Sequence, residues 1–179
     1  MIRVQVDSIR FSLLMQQRIV VLREQNSRRY VTIWIGPFEA DAIALALQGH
    51  QPPRPMTHDL LFSTITALHG SIKQIVVNDF HDGTFYARIH IDHEGRSLEL
   101  DSRSSDAIAL AVRAEVPIFV ADHVMDQVGQ IMDDQEETDE LPAPSGQVEA
   151  EAAPTADDES LSIFRNFLDA LDVDPNSDK

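Results

Sequence analysis

Residues 99–107, ELDSRSSDA, gather a guanidinium, hydroxyls and carboxylates within nine positions. A strand-like run ends at Asp101. A polar turn then offers Arg103, Ser104, Ser105 and Asp106 at the start of a helix. Free N–H groups at a helix N-terminus, joined by a guanidinium and hydroxyls, suit a phosphate. Asp101 and Asp106 are hard oxygen donors of the kind that bind a divalent cation. The same residues also fit a purely structural role, with Ser104 as N-cap, Asp106 on the helix dipole and Arg103 paired with Asp101.

A second group lies in HQPPRPMTHDLL, residues 50–61. Prolines stiffen a loop that delivers Arg54, and Thr57 opens a helix carrying His58 and Asp59. Arg54 could grip a phosphate. Histidine titrates near neutral pH, so His58 could act as a general acid or base. The structural alternative makes Thr57 the cap and Asp59 a first-turn charge. Glu39, in GPFEA, is a lone acid at a helix start, a dipole partner or a ligand. His90 and His93, in HIDHEG, read as flanks of a hairpin turn rather than as a metal pair. The sequence has no Walker A pattern, no GxGxxG, no HExxH and no nucleophile elbow. It has no cysteine, which excludes thiolate zinc sites, iron–sulfur clusters, disulfides and thiol nucleophiles.

The elements that must position these residues follow from periodicity. Alternating or β-branched runs predict strands at 2–9, 18–24, 30–35, 72–79, 85–91, 97–101 and 117–120. Helices are predicted at 37–48, 57–69, 105–114 and 122–132. Pro37 falls in a first helical turn, and Gly49 and Gly70 fall where C-terminal caps belong. One heptad occurs almost twice: DAIALAL at 41–47 and DAIALAV at 106–112, 65 positions apart. Each copy follows two strand-like runs, so the sequence predicts a duplicated ββα unit. At that offset Val31, Ile33 and Ile35 fall opposite Arg96, Leu98 and Leu100. The heptads are apolar all round, which predicts burial on more than one side. Their aspartates, Asp41 and Asp106, are placed in first helical turns. Chemistry is then expected in the links before the helices, where the copies differ.

Charge divides the chain. Residues 1–130 carry 12 Lys+Arg and 15 Asp+Glu, a net of −3, whereas residues 131–179 carry 2 and 15, a net of −13. The segment 133–159 is acidic, rich in Pro and Ala and free of aromatics, and is predicted to be a disordered linker. Residues 160–174 follow as a short amphipathic helix with Leu161, Phe164, Leu168 and Leu171 on one face. The chain lacks a secretory-type leader and any run of about 18 apolar residues, so no membrane association and a cytoplasmic location are expected.

Four blocks, WIGPFEADAIALAL (34–47), PRPMTHDLL (53–61), FYARI (85–89) and DSRSSDAIALAVRAEVPIFV (101–120), resemble the bifunctional nuclease family of bacteria and plants. The resemblance spans residues 1–132, and FRNFLDAL (164–171) also resembles a C-terminal segment of bacterial members. Ser104 stands where the family commonly has proline. The resemblance implies an α+β fold with internal duplication, a twisted and mostly antiparallel sheet packed with helices, a homodimer, and hydrolysis of DNA and RNA. The positions matching family motifs are Glu39, Arg54, His58, Asp59, Asp101, Arg103, Ser105 and Asp106. On the nuclease reading, Asp101, Asp106 and Glu39 would hold Mg²⁺ or Mn²⁺. Arg54, Arg103 and Ser105 would bind substrate, and His58, Asp59, Asp101 and Asp106 would form the catalytic group. The competing reading is a non-catalytic module that binds a small anion or a protein, consistent with a body that lacks a positive field.

Overall fold

Strand alternation in Ile2, Val4 and Val6 begins a three-stranded meander of β1 (Ile2–Ser12), β2 (Gln17–Glu24) and β3 (Arg29–Ile35). A helix α1 (Pro37–Leu47) follows, then α2 (Thr57–Ala67). A second meander comprises β4 (Gly70–His81), β5 (Thr84–His93) and β6 (Arg96–Arg103), and leads directly into α3 (Ser104–Ala114). The chain continues through β7 (Ile118–Val120), α4 (Asp122–Val128) and β8 (Gln130–Ile131). This computed structural model describes residues 1–12 and 17–131. The acidic segment 133–159 and the helix at 160–174 predicted from sequence lie outside the described residues.

All eight strands form one sheet in the order β6-β5-β4-β7-β1-β2-β3-β8. Only β4 and β7 pair in parallel; the other neighbours are antiparallel. The architecture is therefore α+β, as expected. Strand β7 sits between the first strands of the two meanders, pinned by Ile118 and Val120 to both sides. The core lies between one sheet face and the helices. Leu22, Ile33, Ile75 and Ala87 from the sheet meet Ile43 from α1 and Ile108 and Leu110 from α3. No helix of the described residues is long and apolar enough to cross a membrane.

The two heptads behave differently. In α3, Ala107 through Ala111 are all buried, because sheet, α1 and α2 surround the helix. In α1 only Ala40, Ala42 and Ile43 are buried, and Leu47 is half exposed. The alanines let the two helices approach closely, which is their packing role.

Each heptad follows two consecutive antiparallel strands, β2–β3 before α1 and β5–β6 before α3, and a further strand, β1 or β4, precedes each pair. Three sequence expectations need correction. Leu98 and Leu100 do not copy the burial of Ile33 and Ile35: β6 is an edge strand, and both leucines are exposed. Helix α4 stops at Val128, because the Gly129 backbone turns extended and β8 then pairs with Arg29 and Tyr30 of β3. A Cβ at Gly129 would collide with the Met125 carbonyl, so this tight exit from α4 requires glycine. Finally, α1 starts at Pro37, which puts Asp41 beyond the first turn, where it faces Arg18 at 3.5 Å.

Candidate functional site

Helices α1, α2 and α3 each carry an acid at the third helical position: Glu39, Asp59 and Asp106. Carboxylates are favoured there because unpaired N–H groups and the dipole make the helix start positive. Folding links these three starts through side chains. Arg103, the residue that caps α3 with an extended backbone, reaches across to α1 and contacts Glu39 Oε1 at 2.9 Å. Its guanidinium also grips its own helix, donating from Nε to Asp106 Oδ2 at 2.7 Å and from a terminal nitrogen to Asp106 Oδ1 at 3.1 Å. From α2, His58 Nε2 lies 3.0 Å from Asp106 Oδ1. A second tie joins α2 to α3: Arg113 Nε donates to Asp59 Oδ1 at 2.6 Å, while Asp59 Oδ2 accepts from the Met56 N–H at 2.8 Å.

Electrostatics follow from these contacts. Burial by itself pushes the Asp106 carboxyl up. Hydrogen bonds from Arg103 and His58 outweigh it and hold the group below its ordinary value. Asp59 behaves alike: burial raises it, and the Arg113 and Met56 hydrogen bonds bring it below the usual carboxylate range. Asp106 is thus anionic at neutral pH and accepts the ring N–H of His58. In the neutral ring that fixes the tautomer, with the proton on Nε2 and the lone pair on Nδ1. A carboxylate that orients an imidazole in this way prepares it to take a proton. Arg103 is about two-thirds exposed, so its outer edge stays open to a ligand although two carboxylates hold it.

The structure brings together Glu39, His58, Arg103 and Asp106, with Asp59 one residue from His58. It leaves the other sequence candidates apart. Asp101 pairs in register with Arg88 on the sheet face opposite the core, and no hydrogen bond or ion pair joins it to Glu39 or Asp106. Arg54 is exposed in the loop before α2, with no partner among the described residues. Ser104 and Ser105 are buried in the first turn of α3, and neither hydroxyl caps the helix. His90 and His93 sit three apart on β5 and so point to opposite faces. Arg113 was not singled out from sequence, yet its side chain is the most buried of the arginines forming salt bridges, at 8% exposure.

A divalent cation tests poorly against this arrangement. Glu39 and Asp106 both turn to Arg103, and Asp101 stands on the other side of the sheet. Among the described residues no group of three or more His, Asp or Glu side chains is placed to hold a metal ion. The predicted Glu39–Asp101–Asp106 ligand set is not assembled.

The fold and this cluster define an α+β domain with a charged, histidine-containing group at three helix N-termini. The family model described as bifunctional nuclease domain matches residues 20–133. The chain belongs to that family. It is also 40% identical, over 171 residues, to proteins from two strains of Mycobacterium tuberculosis, CDC 1551 / Oshkosh and H37Rv; both are named only as uncharacterized. Those alignments cover 96% of this chain and 95% of each relative, so they take in most of the acidic C-terminal region.

Proposed function

We propose that the chain hydrolyses phosphodiester bonds of DNA and RNA at the Glu39–His58–Arg103–Asp106 group. The observation that carries this reading is the oriented His58–Asp106 pair in contact with a solvent-facing arginine. Phosphodiester hydrolysis needs an activated water, positive charge on the phosphoryl oxygens, and a proton that solvent water supplies to the leaving oxygen as its bond to phosphorus breaks. His58 Nδ1 is the proton acceptor, Asp106 keeps the ring in that tautomer, and Arg103 meets the phosphate. Glu39 holds Arg103 from the far side. Asp59 anchors α2 and so positions His58. Mg²⁺ or Mn²⁺ could reach Glu39 and Asp106 only by displacing Arg103. A homodimer is part of the same proposal, and sedimentation of the full chain reads it.

The test is cleavage of labelled single-stranded DNA and RNA by the full chain, with wild type and His58→Gln purified identically. Wild type is expected to cut, and His58→Gln to lose at least about 100-fold. Equal cutting by both would move the activity elsewhere. Parallel reactions with chelator and with Mg²⁺ read the metal requirement. One observation favours a second reading, an anion-binding regulatory module: two carboxylates already neutralise Arg103, and residues 1–130 are net −3. Saturable phosphate binding without turnover by wild type would support it.

Gly36 gives a finer prediction. Glu39 folds back so closely that a Cβ at Gly36 would collide with Oε2. The Gly36 backbone is extended (φ −66°), a conformation alanine adopts freely. Gly36→Ala should therefore displace the Glu39 carboxylate and free Arg103, while unfolding stability changes by less than about 1 kcal/mol. Cleavage is expected to fall about 10-fold with an almost unchanged melting curve, since one charge-assisted contact is worth about 1.5–3 kcal/mol. An unchanged rate would show that Glu39 does not hold Arg103 in its working position.

A further inference from the structure

Phe38 is the second residue of α1, between Pro37 and Glu39, and 82% of it is exposed. Packing does not explain an aromatic ring there. The other exposed or edge aromatics have company. Phe80 lies 4.5 Å from Phe85 between ring centroids, His81 stacks on Tyr86 at 4.2 Å, and Arg18 covers Phe11 at 5.6 Å. Phe62 packs on the main core, and Tyr30 and Trp34 form a smaller cluster on the other sheet face. Among the described residues, no ring or cation stands against Phe38. Its backbone is nevertheless firm, since it lies in the first turn behind Pro37, whose fixed φ suits that position.

The residue beside it links it to the charged group. Glu39, the next residue, contacts Arg103, so the ring projects from the same helix start that meets the exposed guanidinium. A cation that takes the phosphate and a flat apolar face that takes the base are the two parts of single-strand recognition. In a duplex the bases already stack on one another, and a protruding phenyl ring finds no free face.

We propose that Phe38 is a stacking platform for an unpaired base beside the bound phosphate, so that the site prefers single-stranded nucleic acid to duplex. This inference rests on the nuclease reading for the position of the phosphate. The experiment compares the full chain as wild type, Phe38→Ala and Phe38→Trp. The probe is a short single-stranded oligonucleotide containing 2-aminopurine, and the same sequence annealed to its complement. Binding is followed by fluorescence and anisotropy, and cleavage by gel.

Phe38→Ala should weaken single-strand binding and raise KM by about 10-fold, within the range for one base–aromatic stack. It should leave kcat within about threefold and duplex binding unchanged, and Phe38→Trp should restore the loss. Wild-type strength in Phe38→Ala, or equal losses on both probes, would overturn the platform. If wild type cuts and Phe38→Ala is indistinguishable from it, the nuclease reading stands and the platform falls. If wild type binds single strands in a Phe38-dependent way but never cuts, the platform stands and hydrolysis falls. No binding to either probe removes the platform outright.

Discussion

Asp106→Asn should lower the cleavage rate by about 10²–10⁴-fold while the protein stays folded. Asparagine keeps the size of the side chain, so packing at the start of α3 changes little. It removes the negative charge on which three contacts converge: His58 Nε2 at 3.0 Å and two from Arg103 at 2.7 and 3.1 Å. Without that charge nothing fixes the proton on Nε2, and the amide can offer its NH₂ to the ring instead, which turns the tautomer over. Nδ1 would then carry the proton and could not accept one from water. The loss should appear in kcat. Because His58 and Asp106 act as a unit, the double variant with His58→Gln should be little worse than either single one. Steady-state cleavage of one labelled oligonucleotide by all four proteins measures this, with melting curves as the check on folding. A rate within about threefold of wild type for Asp106→Asn would sink the assignment, as would multiplicative losses in the double variant.

The contacts that make this group were only partly legible in the sequence. Helix starts at 37, 57 and 104 could be read to within a residue from Pro37, Thr57 and the polar turn after the last strand-like run. The acids at their third positions followed from that. Which start faces which could not be read, since His58 and Asp106 are 48 positions apart and the sheet alone brings them together. Arg103 has acids on both sides in sequence, at 101 and 106. The alternation settled the choice: Leu98 and Leu100 share the face of the buried Ile91 and Ile89, so Asp101 must face away. Reading Asp101 as a metal ligand ignored that period. Ser104 looked like a cap, yet Arg103 takes the capping position, because β6 runs extended to that residue and the helix begins at once. Arg113 resembled an ordinary cation on the last turn of a helix. Nothing local announced that α2 would cover it, since only His58 of α2 is buried and its apolar residues are largely exposed.

That covered arginine carries the largest expected effect on stability. Asp59→Ala should destabilise the fold by about 3–5 kcal/mol, because it strands a buried guanidinium whose remaining contact is the Ala109 carbonyl at 2.9 Å. Arg113→Met should cost less, about 1–3 kcal/mol: methionine fills similar space, and the Asp59 carboxylate left behind is 30% exposed and keeps the Met56 N–H. The double variant should fall well short of the sum of the two. Acid gives an independent reading of the same pair. The Asp59 carboxyl lies below its ordinary value of 3.8 in the folded chain, so its contribution is fully present above that value and fades as pH falls through the lower folded one. Urea unfolding should therefore separate wild type from Asp59→Ala most widely above about pH 4, with the curves converging in stronger acid. Under the proposed mechanism catalysis would depend on the pair indirectly, since it ties down the first turn of α2, the turn that presents His58 to Asp106. If Asp59→Ala unfolds within about 1 kcal/mol of wild type at neutral pH but has lost cleavage, Asp59 acts at the reacting atoms and not as an anchor.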